Sequence, residues 1–208
     1  MNLEISYLTI RKIVGILALS FPFLMILASF TSGLVPLEYS LSGYYWTNSH
    51  DVFIGTLSII AMVLIFYKGY DKTDNIITNI AGVAMLSIAL FPAIGPSNQY
   101  TFMFLSPQIT AIIHCIAAII SLSLLGVMSF SQFTKTNKIM TPMKKKRNKI
   151  YKTCGIIIFI AIALMAPALL FPITGSIRLF LLLESIVMCA FGFSWFVKSE
   201  AILKDNAL

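Results

Sequence analysis

Residues 179–197 read LFLLLESIVMCAFGFSWFV, nineteen residues carrying a single charge, Glu184. As a helix this run is about 28 Å long, enough to cross a bilayer core. A carboxylate in hydrocarbon costs roughly 2.5–3.5 kcal/mol on insertion scales. Glu184 therefore requires a polar partner from elsewhere in the chain.

The rest of the sequence is of the same kind. Of 208 residues, 58% are hydrophobic and 11% charged, and the mean hydropathy is +0.90. Soluble domains carry about 25% charged residues, so the composition predicts an all-α integral membrane protein. Apolar runs at about 13–33, 52–67, 76–93, 109–130, 154–173 and 179–197 predict one six-transmembrane-helix bundle over residues 1–208. The first run is too long for a signal-peptide core and lacks a small-residue cleavage site. Fourteen of the fifteen Lys and Arg fall in the N-terminal tail, the 68–75 turn, the 131–153 loop and the C-terminal tail; Arg178 alone lies on the other side. The positive-inside rule then predicts N-in/C-in topology, with both termini cytoplasmic, in a bacterial inner membrane. The net charge of +7 is concentrated at KKKRNK, 144–149. In a cytoplasmic loop, Lys144, Lys145, Lys146 and Arg147 are expected to touch anionic lipid rather than nucleic acid. Cys115, Cys154 and Cys189 are an odd set within or beside apolar runs, expected to pack rather than form disulfides.

The polar groups fall in the outer half of this topology. His114 and Glu184 each lie about seven residues, roughly 10 Å, inside their helix entrances. Thr110, Ala111, Ala117, Ala118 and Ser121 flank His114 at helical spacing, a stripe suited to helix–helix contact. Similar stripes run through Gly15, Ala18, Pro22, Ser29 and Gly33, and through Asp51, Gly55 and Ser58. All three are expected to face into the bundle. His114 and Glu184 are expected within roughly 3–6 Å, directly or through water. The loop PLEYSLSGYYWTNSH, 36–50, which has no Lys or Arg, is expected to fold its rings over the bundle mouth, toward residues 98–100 or the fourth helix.

These considerations give His114, Glu184, Asp51, His50, Tyr44, Tyr45, Arg178 and Ser185 as pocket candidates. Three readings stand: a structural tie between helices, an outward pocket for a lipid or small amphiphile, and a metal or catalytic site. A metal would draw on His50, Asp51, His114 and Glu184, but two His in the whole chain and no HExxH make that set weak. Gly192-Phe193-Ser194-Trp195 has a G-x-S look, yet both His lie at the opposite end of the bundle, so neither reaches Ser194. No dinucleotide, Walker or haem pattern implies a cofactor.

Several blocks together resemble a family of uncharacterised bacterial six-span proteins: LSGYYWTNSHDVFIGTL (41–57), FYKGYDKTDN (66–75), IAGVAMLSIALFP (80–92), RNKIYKTCGI (147–156) and LESIVMCAFGFSWFVKSE (183–200). The layout is distantly similar to DRAM/Sfk-like membrane proteins. The resemblance implies the architecture and no catalytic residue; Ser199-Glu200 stands where the family has Gly-Glu. The sequence thus predicts a membrane protein with an outward polar pocket for a lipid or amphiphile. A metal-dependent intramembrane hydrolase is the alternative. Membrane lipids are the expected partners, and a homo-oligomer or a larger complex is a further expectation.

Overall fold

The computed structural model describes residues 6–30, 37–95, 102–136, 140–170 and 178–205, with backbone alone at 102 and 168–170. These residues hold six long helices: α1 (Tyr7–Phe30), α2 (His50–Phe66), α3 (Lys72–Leu90), α4 (Pro107–Phe130), α5 (Pro142–Leu170) and α6 (Leu179–Lys198). Among the described residues there is no strand. Of the described helices, five are long and apolar enough to cross a membrane, and α2, at 17 residues, is shorter.

Each helix packs on its neighbours in sequence, and α6 returns to pack on α1, which closes a ring. The core is a continuous set of buried apolar side chains reaching from Tyr44 at one end to Trp195 at the other. Large apolar residues such as Phe23, Leu27, Ile80, Ile119, Ile160 and Leu182 point outward, the pattern of helices surrounded by lipid rather than water. The α1–α6 seam closes at two glycines. A Cβ on Gly15 would lie 2.6 Å from Phe196 N, and one on Gly192 would lie 2.6 Å from Leu19 N. Small residues at such a crossing let the backbones touch.

Several expected boundaries and faces need correction. The stretch KKKRNK is not loop, because α5 begins at Pro142 and carries it as helix. Proline at a helix start loses no hydrogen bond there, and the helix then runs unbroken into the apolar segment. Lys144 and Arg147, three residues apart, share its inward face and are buried, whereas Lys145 and Lys146 are exposed. The stripe Asp51–Gly55 faces outward, not into the bundle. Phe53, Thr56, Leu57, Ile60, Ala61 and Leu64 occupy the inward face of α2, since their larger apolar area gains more from burial. The other two stripes face inward as expected: Gly15, Ala18, Pro22 and Ser29 on α1, and Thr110, Ala111, His114, Ala117 and Ser121 on α4. Gly33 of the first stripe lies outside the described residues.

Candidate functional site

At one end of the bundle the 37–49 loop turns inward instead of outward. A 3-10 turn, Ser42–Trp46, sits in the mouth. Ser49 Oγ donates to Met25 O at 2.9 Å, and Trp46 Nε1 donates to Ala93 O at 3.1 Å. Tyr44 is wholly buried. Tyr45 packs edge-on against Trp46, His50 and Phe53. The aromatic loop therefore caps the bundle, and it reaches the top of α4 through Ser42. Residues 98–100, its other expected contact, lie outside the described residues.

Glu184, projecting from the second turn of α6, meets this loop. Leu41 N donates to Oε2 at 2.5 Å, and the Ser42 hydroxyl lies 3.5 Å from Oε1. Ser42 Oγ is also 3.0 Å from His114 Nε2, while His114 Nδ1 lies 2.8 Å from Phe91 O. His114 and Glu184 are thus joined through the Ser42 hydroxyl, not by the direct or water-bridged contact expected. Sequence reasoning missed Ser42 because the depth argument compared only ionisable groups.

The hydrogen count constrains the chemistry. A carbonyl only accepts, so Nδ1 carries the proton and donates to Phe91 O. With Ser42 bonded to both partners, a neutral ring has Nε2 accepting from Ser42 and a protonated carboxyl donating to Ser42 Oγ. If the ring is charged, Nε2 donates to Ser42, and Ser42 donates to the carboxylate. The two forms differ by a proton shifted along Glu184–Ser42–His114, and the cluster is net neutral in both. That neutrality answers the cost of placing a carboxylate at this depth.

Beneath the relay lies a cavity of about 40 Å³, reached by Ser42 and Glu184 and walled by Phe21, Phe53, Leu57, Met85, Leu122 and Met188. It has room for a few waters and none for an acyl chain.

The other candidates stand apart from the relay. His50 Nδ1 lies 2.7 Å from Tyr45 O, which fixes the ring against the loop. Asp51 is exposed. Arg178, at the N-cap of α6, stacks 3.9 Å over the Tyr39 ring. Ser185 Oγ donates back to Leu181 O at 2.5 Å within its own helix. Among the described residues no three His, Cys, Asp or Glu side chains converge as metal ligands, so His50, Asp51, His114 and Glu184 are not brought together as a set. Ser194 is buried at the far end, 2.9 Å from Ser129 Oγ.

That far end gathers the basic residues. Asp71 caps α3 by accepting from Asp74 N, and Lys135 donates to both carboxylates, at 2.9 and 2.6 Å. The ammonium of Lys135, then the Asp74 amide, hold the Asp71 carboxyl below its usual range. No family model matches the chain, and no curated protein or solved structure matches it.

Proposed function

We propose that the chain is a six-span protein of a bacterial inner membrane, with both termini cytoplasmic and the aromatic loop on the outer face. The fourteen-to-one split of basic residues supports that orientation. In this reading the outer end is a lidded pocket for a lipid or small amphiphile. One observation carries it: the Glu184–Ser42–His114 relay borders an apolar cavity directly beneath a loop that the same groups hold down. The loop is the lid, Glu184 its latch, and the relay the polar floor on which a headgroup would exchange hydrogen bonds. The water-sized cavity corresponds to the closed lid, and a ligand enters by displacing Leu41 N and Ser42 from the carboxylate.

Photocrosslinking tests this. Full-length protein in nanodiscs would be irradiated with a diazirine-bearing fatty acid and digested for mass spectrometry. Adducts are expected on residues 41–57 and 181–188, and Glu184→Ala should change their yield. Adducts confined to outward-facing positions such as Ile116, Ile119 and Ile160 would sink the pocket.

A second reading is favoured by a specific geometry. Ser42 Oγ lies within hydrogen-bond reach of His114 Nε2, and Phe91 O orients the ring, the arrangement of a nucleophile with its base. With the ring neutral, Ser42 would attack an ester carbonyl as its proton passes to Nε2; the ester C–O bond then breaks and the imidazolium returns that proton to the departing alcohol oxygen. An alkyl fluorophosphonate should then label Ser42 in the unmodified protein and not in His114→Ala; absence of any label excludes acyl transfer.

A further inference from the structure

The basic end encloses a larger space. A cavity of about 480 Å³ lies there, lined by Arg11 of α1, Lys144 and Arg147 of α5, Lys198 of α6, and Glu200 and Asp205 of the segment after α6. Lys144, Arg147 and Lys198 are only 7%, 4% and 5% exposed, unusual for such side chains unless they are paired.

Arg147 is paired: its guanidinium meets Asp205 at 2.6 Å and Glu200 at 3.4 Å, and it donates to Leu203 O. The two lysines are not. Among the described residues neither has a carboxylate within ion-pair distance; both donate to the same carbonyl, Phe133 O, at 2.8 and 3.1 Å. An ammonium has three N–H donors, so four of the six lack an acceptor among the described residues. Ring faces lie beside them, Tyr151 5.4 Å from Lys144 Nζ and Tyr70 4.9 Å from Lys198 Nζ. Asp74, itself bonded to Lys135, lines a small pocket with Lys198. Arg11 Nε is likewise enclosed without a hydrogen-bond partner. Two cations converging on one neutral oxygen repel each other, and a buried charge needs a counter-charge.

The lining sets Arg11, Lys144, Arg147 and Lys198 against two carboxylates. Burial and the neighbouring cations lower the pKa of Lys144 to about 8 and that of Lys198 to about 6, and an anion between them would hold both in the charged form. A phosphate monoester carries about −1.5 to −2 near neutrality and offers three acceptor oxygens. We propose that this cavity binds a phosphoryl group, held between Lys144 and Lys198 with Arg11 beside them. The group belongs either to a lipid headgroup entering from the membrane surface or to a soluble phosphate. Exposed Lys145 and Lys146 attract anions to that face without touching the bound group.

The test uses full-length protein in neutral detergent, titrated calorimetrically with inorganic phosphate and with dioctanoyl phosphatidic acid. Saturable binding of at least one probe is expected. Lys144→Gln and Lys198→Gln should each weaken it about tenfold or more, the loss of a charge-assisted hydrogen bond, while the double variant Lys145→Gln/Lys146→Gln changes it less than about twofold. Tighter binding of the lipid by about tenfold or more assigns a lipid headgroup; equal affinities assign a soluble phosphoryl ligand. Because a buried lysine can matter for folding, the unmodified protein gives an independent reading. The better of the two probes should raise its melting temperature, and chloride at equal ionic strength should not. Absence of saturable binding, equal weakening by the outward-facing pair, or equal stabilisation by chloride overturns the proposal.

Discussion

Ser42 has one hydroxyl and two obligations, to His114 Nε2 and to Glu184. Ser42→Ala leaves both partners in an enclosed site without their bridge. A loss of about 1–2 kcal/mol is expected in detergent unfolding, whereas Ser185→Ala, which breaks only a bond within its own helix, should change stability by less than about 0.5 kcal/mol. Glu184 announced its need in the sequence, and the small residues around His114 gave its direction. Ser42 did not stand out, because one hydroxyl in a polar loop looks like any other until the loop folds inward. A second residue-scale effect is the pH dependence at Asp71. Its carboxyl is held below the unfolded value, first by Lys135 and then by the Asp74 amide. Its contribution is therefore present above the unfolded pKa and lost as pH falls through the folded one. The melting difference between the unmodified protein and Asp71→Asn should be seen at neutral pH and vanish below the ordinary carboxylate range.

At the scale of elements, the α1–α6 crossing makes the sharpest demand. Gly15→Ala and Gly192→Ala each force a methyl against backbone at 2.6 Å, and each should cost about 1–3 kcal/mol in thermal or denaturant unfolding. Gly55 has nothing within 4 Å of its Cβ position, and Gly55→Ala should be neutral or slightly stabilising. Sequence reading put both glycine-bearing stripes inside, and only the first is there. A small residue permits close approach but does not compel it, and on α2 the larger apolar face at Phe53, Ile60 and Leu64 decides the orientation. The α5 extension was illegible for a related reason. Charge density marks KKKRNK as polar, yet burial of Lys144 and Arg147 depends on what α6 and the 199–205 segment bring to them.

For the whole molecule, helical membrane character follows from composition and run length, because twenty-residue apolar segments have few alternatives; of the described helices five are long enough to cross, and α2 is shorter. The ring order and the inward-folded loop depend on tertiary packing and do not. In a variant lacking Cys115, Cys154 and Cys189, a cysteine replacing Ser40 should react with an impermeant maleimide from the periplasm, and one replacing Lys204 only after the membrane is opened. The reverse pattern would invert the proposed topology. The central claim is that Glu184 holds the loop over the outer pocket. Hydrogen exchange of the peptide spanning 37–49, followed by mass spectrometry in the unmodified protein and in Glu184→Ala, tests it most directly. The account predicts at least about tenfold faster exchange in that peptide, with α5 peptides unchanged; identical exchange of the loop in the two proteins would contradict it.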